Sequence, residues 1–208
     1  MSPLVRFSAL AALALAGCDR TPPAVPRIDY THSAGYATAP FKDDAPANAA
    51  PADFPLSFVD CDGNPVDLAK YRGKSKVVLV VLRGMPRSEG GAFCPTCLAQ
   101  TSSLLANQQE FARRGAVLLV VFPGPSDRVG EFLRRAAGRT PGEPAREFRV
   151  LLDRECQACD RLGIRDDLAK PSTYVLDTRG TVVYAYVGET STDRPSVKAI
   201  LAQLDQAH

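Results

Sequence analysis

The sequence predicts an α/β domain of three layers: a central mixed sheet flanked by helices, with an N-terminal β-hairpin extension. Two features predict it. Lys76–Leu82 and Ala116–Phe122 are continuous apolar runs rich in branched residues, the mark of strands covered on both faces. Around them lie segments with apolar residues at helical spacing, and strand–helix alternation of this kind builds a layered sheet. A late hairpin adds antiparallel strands and makes the sheet mixed.

The elements follow in order from Phe54. Leu56–Val59 and Val66–Leu68 bracket the turn-rich run Asp60-Cys61-Asp62-Gly63-Asn64-Pro65 and predict the hairpin. Lys76–Leu82 is the central strand. After a loop from Arg83 to Phe93, a helix of about 18 residues starts near Cys94, with Leu98, Leu104, Leu105, Phe111 and Ala112 on one stripe. Ala116–Phe122 is a second buried strand, and Asp127–Ala137 a second helix ending near Gly138. Phe148–Leu152 reads as a short strand and Glu155–Leu162 as a helix. Thr173–Leu176 and Thr181–Val187 flank Asp177-Thr178-Arg179-Gly180 as another hairpin. Pro195–Gln206 closes the chain as an amphipathic helix.

Upstream of Phe54 the texture differs. Met1–Gly17 has Arg6, an apolar run Phe7–Ala16, and then Leu15-Ala16-Gly17-Cys18. About a dozen apolar residues match a signal-peptide core and are too few to span a bilayer. Leu-Ala-Gly-Cys has the form of a bacterial lipobox, which predicts a signal peptide at 1–17 and an acylated Cys18 as the mature N-terminus. An ordinary secretory signal is the alternative. Acylation places the protein outside the cytoplasm on a bacterial membrane, and Asp19 resembles a signal for retention at the inner membrane's periplasmic face. Residues 18–53 are dominated by Ala, Pro, Thr and Asp, and predict a semi-extended tether.

Composition narrows the chemistry. Against 23 acidic residues stand 25 Lys plus Arg, a net charge of +2 with no long basic run, which argues against nucleic acid as a partner. The two histidines, His32 and His208, lie near the chain ends, unsuited to a His-rich metal site or a Ser-His-Asp triad. There is no Trp. Of six cysteines, four form two Cys-x-x-Cys pairs.

Cys94-Pro95-Thr96-Cys97 falls at a strand-to-helix junction. A helix N-terminus carries free N–H groups and partial positive charge that lower a thiol's pKa, and Pro suits its first turn. Two intervening residues let the second sulfur resolve a mixed disulfide on the first. A structural disulfide is the competing reading in an exported protein. Cys156-Gln157-Ala158-Cys159 opens the next predicted helix; a local disulfide, a second redox pair and half of a metal site all remain open for it. Cys61 is an odd thiol in a turn.

Several stretches carry a family resemblance: Phe54-Pro55-Leu56-x-Phe58-x-Asp60-x-x-Gly63, Leu68-x-x-Tyr71-Arg72-Gly73-Lys74, Leu82-Arg83-Gly84, the Cys94–Cys97 motif, and Pro171-Ser172-Thr173-Tyr174-Val175-Leu176-Asp177-x-x-Gly180. Together they resemble the thioredoxin-like superfamily and, within it, the alkyl hydroperoxide reductase / thiol-specific antioxidant (peroxiredoxin-like) family. The resemblance implies an oxidoreductase with a thioredoxin-like fold over 54–208. Cys94 would be the nucleophile, Cys97 the resolving thiol, and Pro171 a cis-proline facing them, with substrate contacts at Pro171 and Thr96.

It implies a protein or small-molecule disulfide or thiol substrate, or peroxide in a thiol peroxidase, and a recycling reductase. Neither a metal nor another cofactor is expected. The peroxidase motif Pro-x-x-x-Thr/Ser-x-x-Cys is not matched: with Cys97 as the peroxidatic residue, Gly90 replaces Pro and Cys94 replaces Thr or Ser. Lys170 stands near where the family's Arg belongs, with Arg83 and Arg194 as substitutes. The non-enzymatic rival is a tethered metal-binding or interaction module. Both Cys pairs are expected at the carboxyl edge of the sheet, where loops 85–93 and 138–144 let Cys156/Cys159 exchange electrons with Cys94/Cys97.

Overall fold

The computed structural model describes residues 41–51, 53–85, 92–137 and 148–207. The expected signal peptide, Cys18, the first part of the tether, most of the 85–93 loop and the 138–144 connection lie outside these residues.

Seven strands form one sheet among the described residues: β1 Ser57–Asp60, β2 Pro65–Asp67, β3 Lys76–Val81, β4 Ala116–Phe122, β5 Phe148–Leu152, β6 Ser172–Leu176 and β7 Val182–Val187. Their order is β2-β1-β5-β4-β3-β6-β7. β3, β4 and β5 are parallel, whereas the β1–β2 and β6–β7 hairpins pair antiparallel on either side. The expected mixed sheet with its N-terminal hairpin is therefore the observed one. Two Asp side chains shape the hairpin turns: Asp60 Oδ1 accepts from Asp62 N and Asn64 N, and Asp177 Oδ1 from Arg179 N and Thr181 N.

Alternate residues of the central strands face opposite cores. Val78, Val80, Leu118, Val120 and Val150 pack with Leu98, Leu104, Phe111, Phe132, Ile200 and Leu204 on one face. Val77, Leu79, Val81, Leu119, Val121 and Leu151 pack with Phe58, Val66, Leu68, Ala158, Cys159 and Leu162 on the other. The strands are apolar throughout because both faces are covered, as their composition requires.

The helices are shorter than their patterns suggested. The long first helix is two, α1 Pro95–Ala106 and α2 Gln108–Arg113, joined at Asn107, whose φ of −113° leaves the helical range. α3 spans Val129–Ala136 after a 3₁₀ turn at Ser126–Arg128. α4 covers only Gln157–Arg161, and α5 runs from Val197 to Gln206 with Ser196 capping the Ala199 N–H.

The domain begins earlier than the Asp53/Phe54 boundary. Residues 41–51, read from composition as tether, dock along β7. Ala45 is buried and its carbonyl accepts the Tyr184 hydroxyl at 2.9 Å. Asn48 N donates to Ala185 O at 3.0 Å, and its side-chain amide both accepts from Val187 N (2.8 Å) and donates to Val187 O (3.0 Å). Pro and Ala made this segment look unstructured, but an edge strand lends its backbone groups to any chain laid beside it.

Candidate active site

β3 delivers the chain to the sheet's carboxyl edge, and the polypeptide re-enters at Cys94, the residue immediately before α1. Cys94 is partly exposed and Cys97, one turn along, is 2% exposed. Both are free thiols. Cys94 forms part of the wall of a cleft of about 470 Å³ together with Arg83, Gly84, Phe93, Asp167 and Leu168. One sulfur thus faces solvent and the other the core.

Their acidities separate accordingly. Cys94 is lowered to about 5, chiefly by the hydrogen bond from the Cys97 thiol. Burial opposes the shift; the Thr96 hydroxyl, the Cys97 backbone N–H and the Arg194 charge support it. Cys97 is pushed well above the ordinary thiol value by burial and by donating to Cys94. The reduced pair therefore carries one thiolate, at the accessible sulfur.

Thr96, expected at a substrate contact, turns its hydroxyl toward the sulfur and the neighbouring loop. It is 8% exposed, and its hydroxyl lies 3.1 Å from Cys94 Sγ and 2.8 Å from the Ser191 carbonyl. A hydroxyl has one proton for these two acceptors. The Ser191 carbonyl also receives Arg194 Nε at 2.8 Å, so it stays satisfied when Thr96 turns its proton to the sulfur.

Of the three cations considered from sequence, Arg194 is the one whose charged group reaches a sulfur, while Arg83 meets Cys97 through its backbone N–H. Arg194 is 0% exposed; Nη2 lies 3.3 Å from Cys97 Sγ and Nη1 donates to Gln100 Oε1. No carboxylate pairs with it among the described residues. A buried guanidinium without a counter-anion is costly, and a dithiol sharing one negative charge offsets that cost. Arg83 also lines the cleft. Lys170 donates its backbone N–H to Ile164 O.

Pro171 departs from expectation. No cis peptide bond occurs among the described residues, so Lys170–Pro171 is trans, and the Pro171 carbonyl is taken by Gly188 N at 2.8 Å. That bond continues the β6–β7 ladder by one step. Pro171 thus opens a strand, and its carbonyl is not presented to substrate.

Cys156 and Cys159 leave the same sheet edge, after β5, but on the other face. The hydrogen-bonded sheet stands between the two pairs, so the expected electron exchange has no direct path. Cys156 adopts a left-handed φ of 52°, and Cys159 is fully buried. Burial raises both thiols, and the neighbouring Asp153 carboxylate raises Cys159 further. Asp153, itself buried, accepts from Ala158 N (3.1 Å) and Cys159 N (3.0 Å) and so starts α4. No cluster of potential metal ligands forms among the described residues. Cys61 is an exposed thiol in the β1–β2 turn.

Sequence reasoning missed Gln100, Ser191 and Asp153. Asp153 left a readable sign, an acid three residues ahead of Cys156. Gln100 and Ser191 left none.

With this geometry in view, the AhpC/TSA family is matched across residues 43–185. The chain belongs to the AhpC/TSA family. Its members are thiol-dependent oxidoreductases, and the chain is an enzyme of that class. The match begins at Asp43, inside the segment that docks on β7. No curated protein matches the sequence.

Among solved structures, peroxidoxin BcpB from Mycobacterium tuberculosis is 20% identical at a TM-score of 0.57, covering 79% of this chain and 99% of that one. Peroxiredoxin Q from Xanthomonas campestris is likewise 20% identical at 0.56, covering 79% and 98%. Reduced Prx3 from Vibrio vulnificus, solved with hydrogen peroxide, is 18% identical at 0.59, covering 76% and 99%. These likenesses establish the fold: an AhpC/TSA enzyme built on the thioredoxin-like plan.

Proposed function

We propose that this AhpC/TSA enzyme is an extracytoplasmic thiol–disulfide oxidoreductase working through Cys94 and Cys97, anchored by an acylated Cys18. The observation that carries the reading is the division of labour between the sulfurs: an acidic, cleft-lining Cys94 beside a buried, weakly acidic Cys97. The Cys94 thiolate attacks one sulfur of a substrate disulfide; an S–S bond forms to Cys94, and the other substrate sulfur leaves as a thiolate that takes a proton. Cys97 then loses its proton and attacks Cys94 Sγ. The second substrate thiolate departs and the Cys94–Cys97 disulfide remains, two electrons having passed to substrate. A recycling reductase restores the dithiol.

Family membership favours a second reading on the same atoms. The Cys94 thiolate attacks the terminal oxygen of a hydroperoxide, the O–O bond breaks, and the alkoxide takes a proton as it leaves. Cys97 condenses with the resulting sulfenic acid and releases water. Arg194 suits either course because both consume the thiolate it stabilises.

The test is trapping. Cys97→Ser should accumulate mixed disulfides through Cys94, visible by mass spectrometry, and Cys94→Ser should abolish exchange. Disulfide and hydrogen peroxide, offered to one preparation, rank the two readings by rate. Exchange surviving in Cys94→Ser would overturn both.

A further inference from the structure

The docked segment at 41–51 reaches the active site through one residue. Lys42 N donates to Arg194 O and Lys42 O accepts from Ser196 N, both at 2.8 Å, a single parallel bridge across Pro195. Its ammonium lies 2.7 Å from Asp193 Oδ1 and 3.0 Å from the Tyr186 hydroxyl, which itself donates to Asp193 Oδ1 at 2.6 Å. Asp193 Oδ2 accepts from Glu189 N at 3.0 Å. Beside Lys42, Asp43 takes the Ser196 hydroxyl and pairs with Lys198. Backbone and side chain of Lys42 thus hold residues 189–196 from outside, while Ser191 and Arg194 of that loop meet Thr96 and Cys97 from inside.

We propose that Lys42 is a positioning residue for the dithiol: it clamps the 189–196 loop so that the Ser191 carbonyl and the Arg194 guanidinium stay against Thr96 and Cys97. The physical need is specific. A buried guanidinium with no carboxylate beside it among the described residues gains by swinging into water, and that motion would carry Ser191 away from Thr96. Gly188 packs the loop's other end against its own far side and the body: a Cβ there would meet Asp193 O and lie 3.1 Å from Pro171 Cγ. Among the described residues, the 41–43 segment closes the loop from the solvent side. The Lys42 ammonium is raised in pKa by its bond to Asp193, so the clamp stays charged throughout the working range of the thiols. This proposal rests on the Cys94/Cys97 reading and adds a determinant that lies outside the catalytic motif.

The experiment is the pH profile of iodoacetamide alkylation at Cys94 in the reduced full chain, with the labelled cysteine identified by mass spectrometry. Lys42 is exposed and lies outside both apolar cores, so Lys42→Glu, which sets like charges against Asp193, retains the fold, as circular dichroism will register. Its alkylation at about pH 4 should be about tenfold slower than wild type and its rate at about pH 10 unchanged, equivalent to roughly one unit in midpoint. Lys42→Arg should restore the wild-type profile. The shift should persist in about 0.5 M salt, where a distant charge is screened.

A Lys42→Glu profile matching wild type, or a shift that vanishes in salt, overturns the clamp while leaving the dithiol reading intact. Wild-type labelling at mildly acid pH on a cysteine other than Cys94 overturns the dithiol reading, and the clamp with it.

Discussion

On the proposed dithiol reading, the sulfur of Cys94 sets the electron balance of the enzyme. A thiolate lowered to about 5 stabilises the reduced pair at pH 7 by about two decades relative to an unshifted thiol, so the disulfide is roughly 60 mV more oxidising at about 30 mV per decade. The sign follows from linkage. Below the Cys94 pKa reduction takes up two protons and the potential falls by about 59 mV per pH unit; above it one proton suffices and the slope halves to about 30 mV. Equilibration with glutathione across about pH 4 to 8 should therefore show a break near 5. A slope that stays at the steeper value through pH 7 would mean that Cys94 is an ordinary thiol. Thr96→Val, which removes the hydroxyl 3.1 Å from the sulfur, should move the break upward. The pair itself was legible because all four residues are adjacent in sequence. Arg194 was legible only as one of three candidate cations, since its contact with Cys97 spans 97 positions and no local pattern announces a loop that folds back.

At the scale of elements, continuous apolar runs revealed β3 and β4, and turn residues between apolar segments revealed both hairpins. The breaks were harder. Asn107 interrupts a stripe that remains apolar on both sides of it, and α4 is a single turn held by Asp153 rather than by any periodicity. The docked 41–51 segment escaped notice because it contributes backbone and polar groups to β7 and only the small side chains of Ala45 and Ala49 to the cores. With the sheet between the Cys pairs, a Cys156→Ala/Cys159→Ala variant should catalyse disulfide exchange at the wild-type rate, while its denaturation midpoint falls. Slowed exchange would restore a role in electron transfer. Asp153→Ala should cost about 2–4 kcal/mol, because two buried N–H groups lose their acceptor, and urea denaturation reads the loss directly.

For the whole molecule, the two faces of the sheet separate a reactive pair from a buried one, and the docked segment ties the N-terminal side of the chain to the reactive side. No helix among the described residues is long and apolar enough to cross a membrane. Attachment through Cys18 would place the Lys42 clamp at the end of a connection of at most about 80 Å if fully extended. Intact-mass analysis of protein extracted from membranes with detergent should find an acylated residue 18 as the mature N-terminus. A free N-terminus elsewhere would remove the anchor and leave the redox assignment untouched.

Asn48 has a consequence for how copies of this enzyme meet. Its amide answers the N–H and the C=O of Val187 as a neighbouring strand would, but it ends in a side chain and offers nothing onward. At the far margin, β2 is three residues long and starts with Pro65, which has no N–H to give. Among the described residues, each border of the sheet is therefore partly blunted against pairing with another strand. Lipid anchoring would confine molecules to two dimensions and raise their encounter frequency, the condition under which open borders zip together. Were copies so confined, crowding would bring together borders that offer a further strand little to pair with.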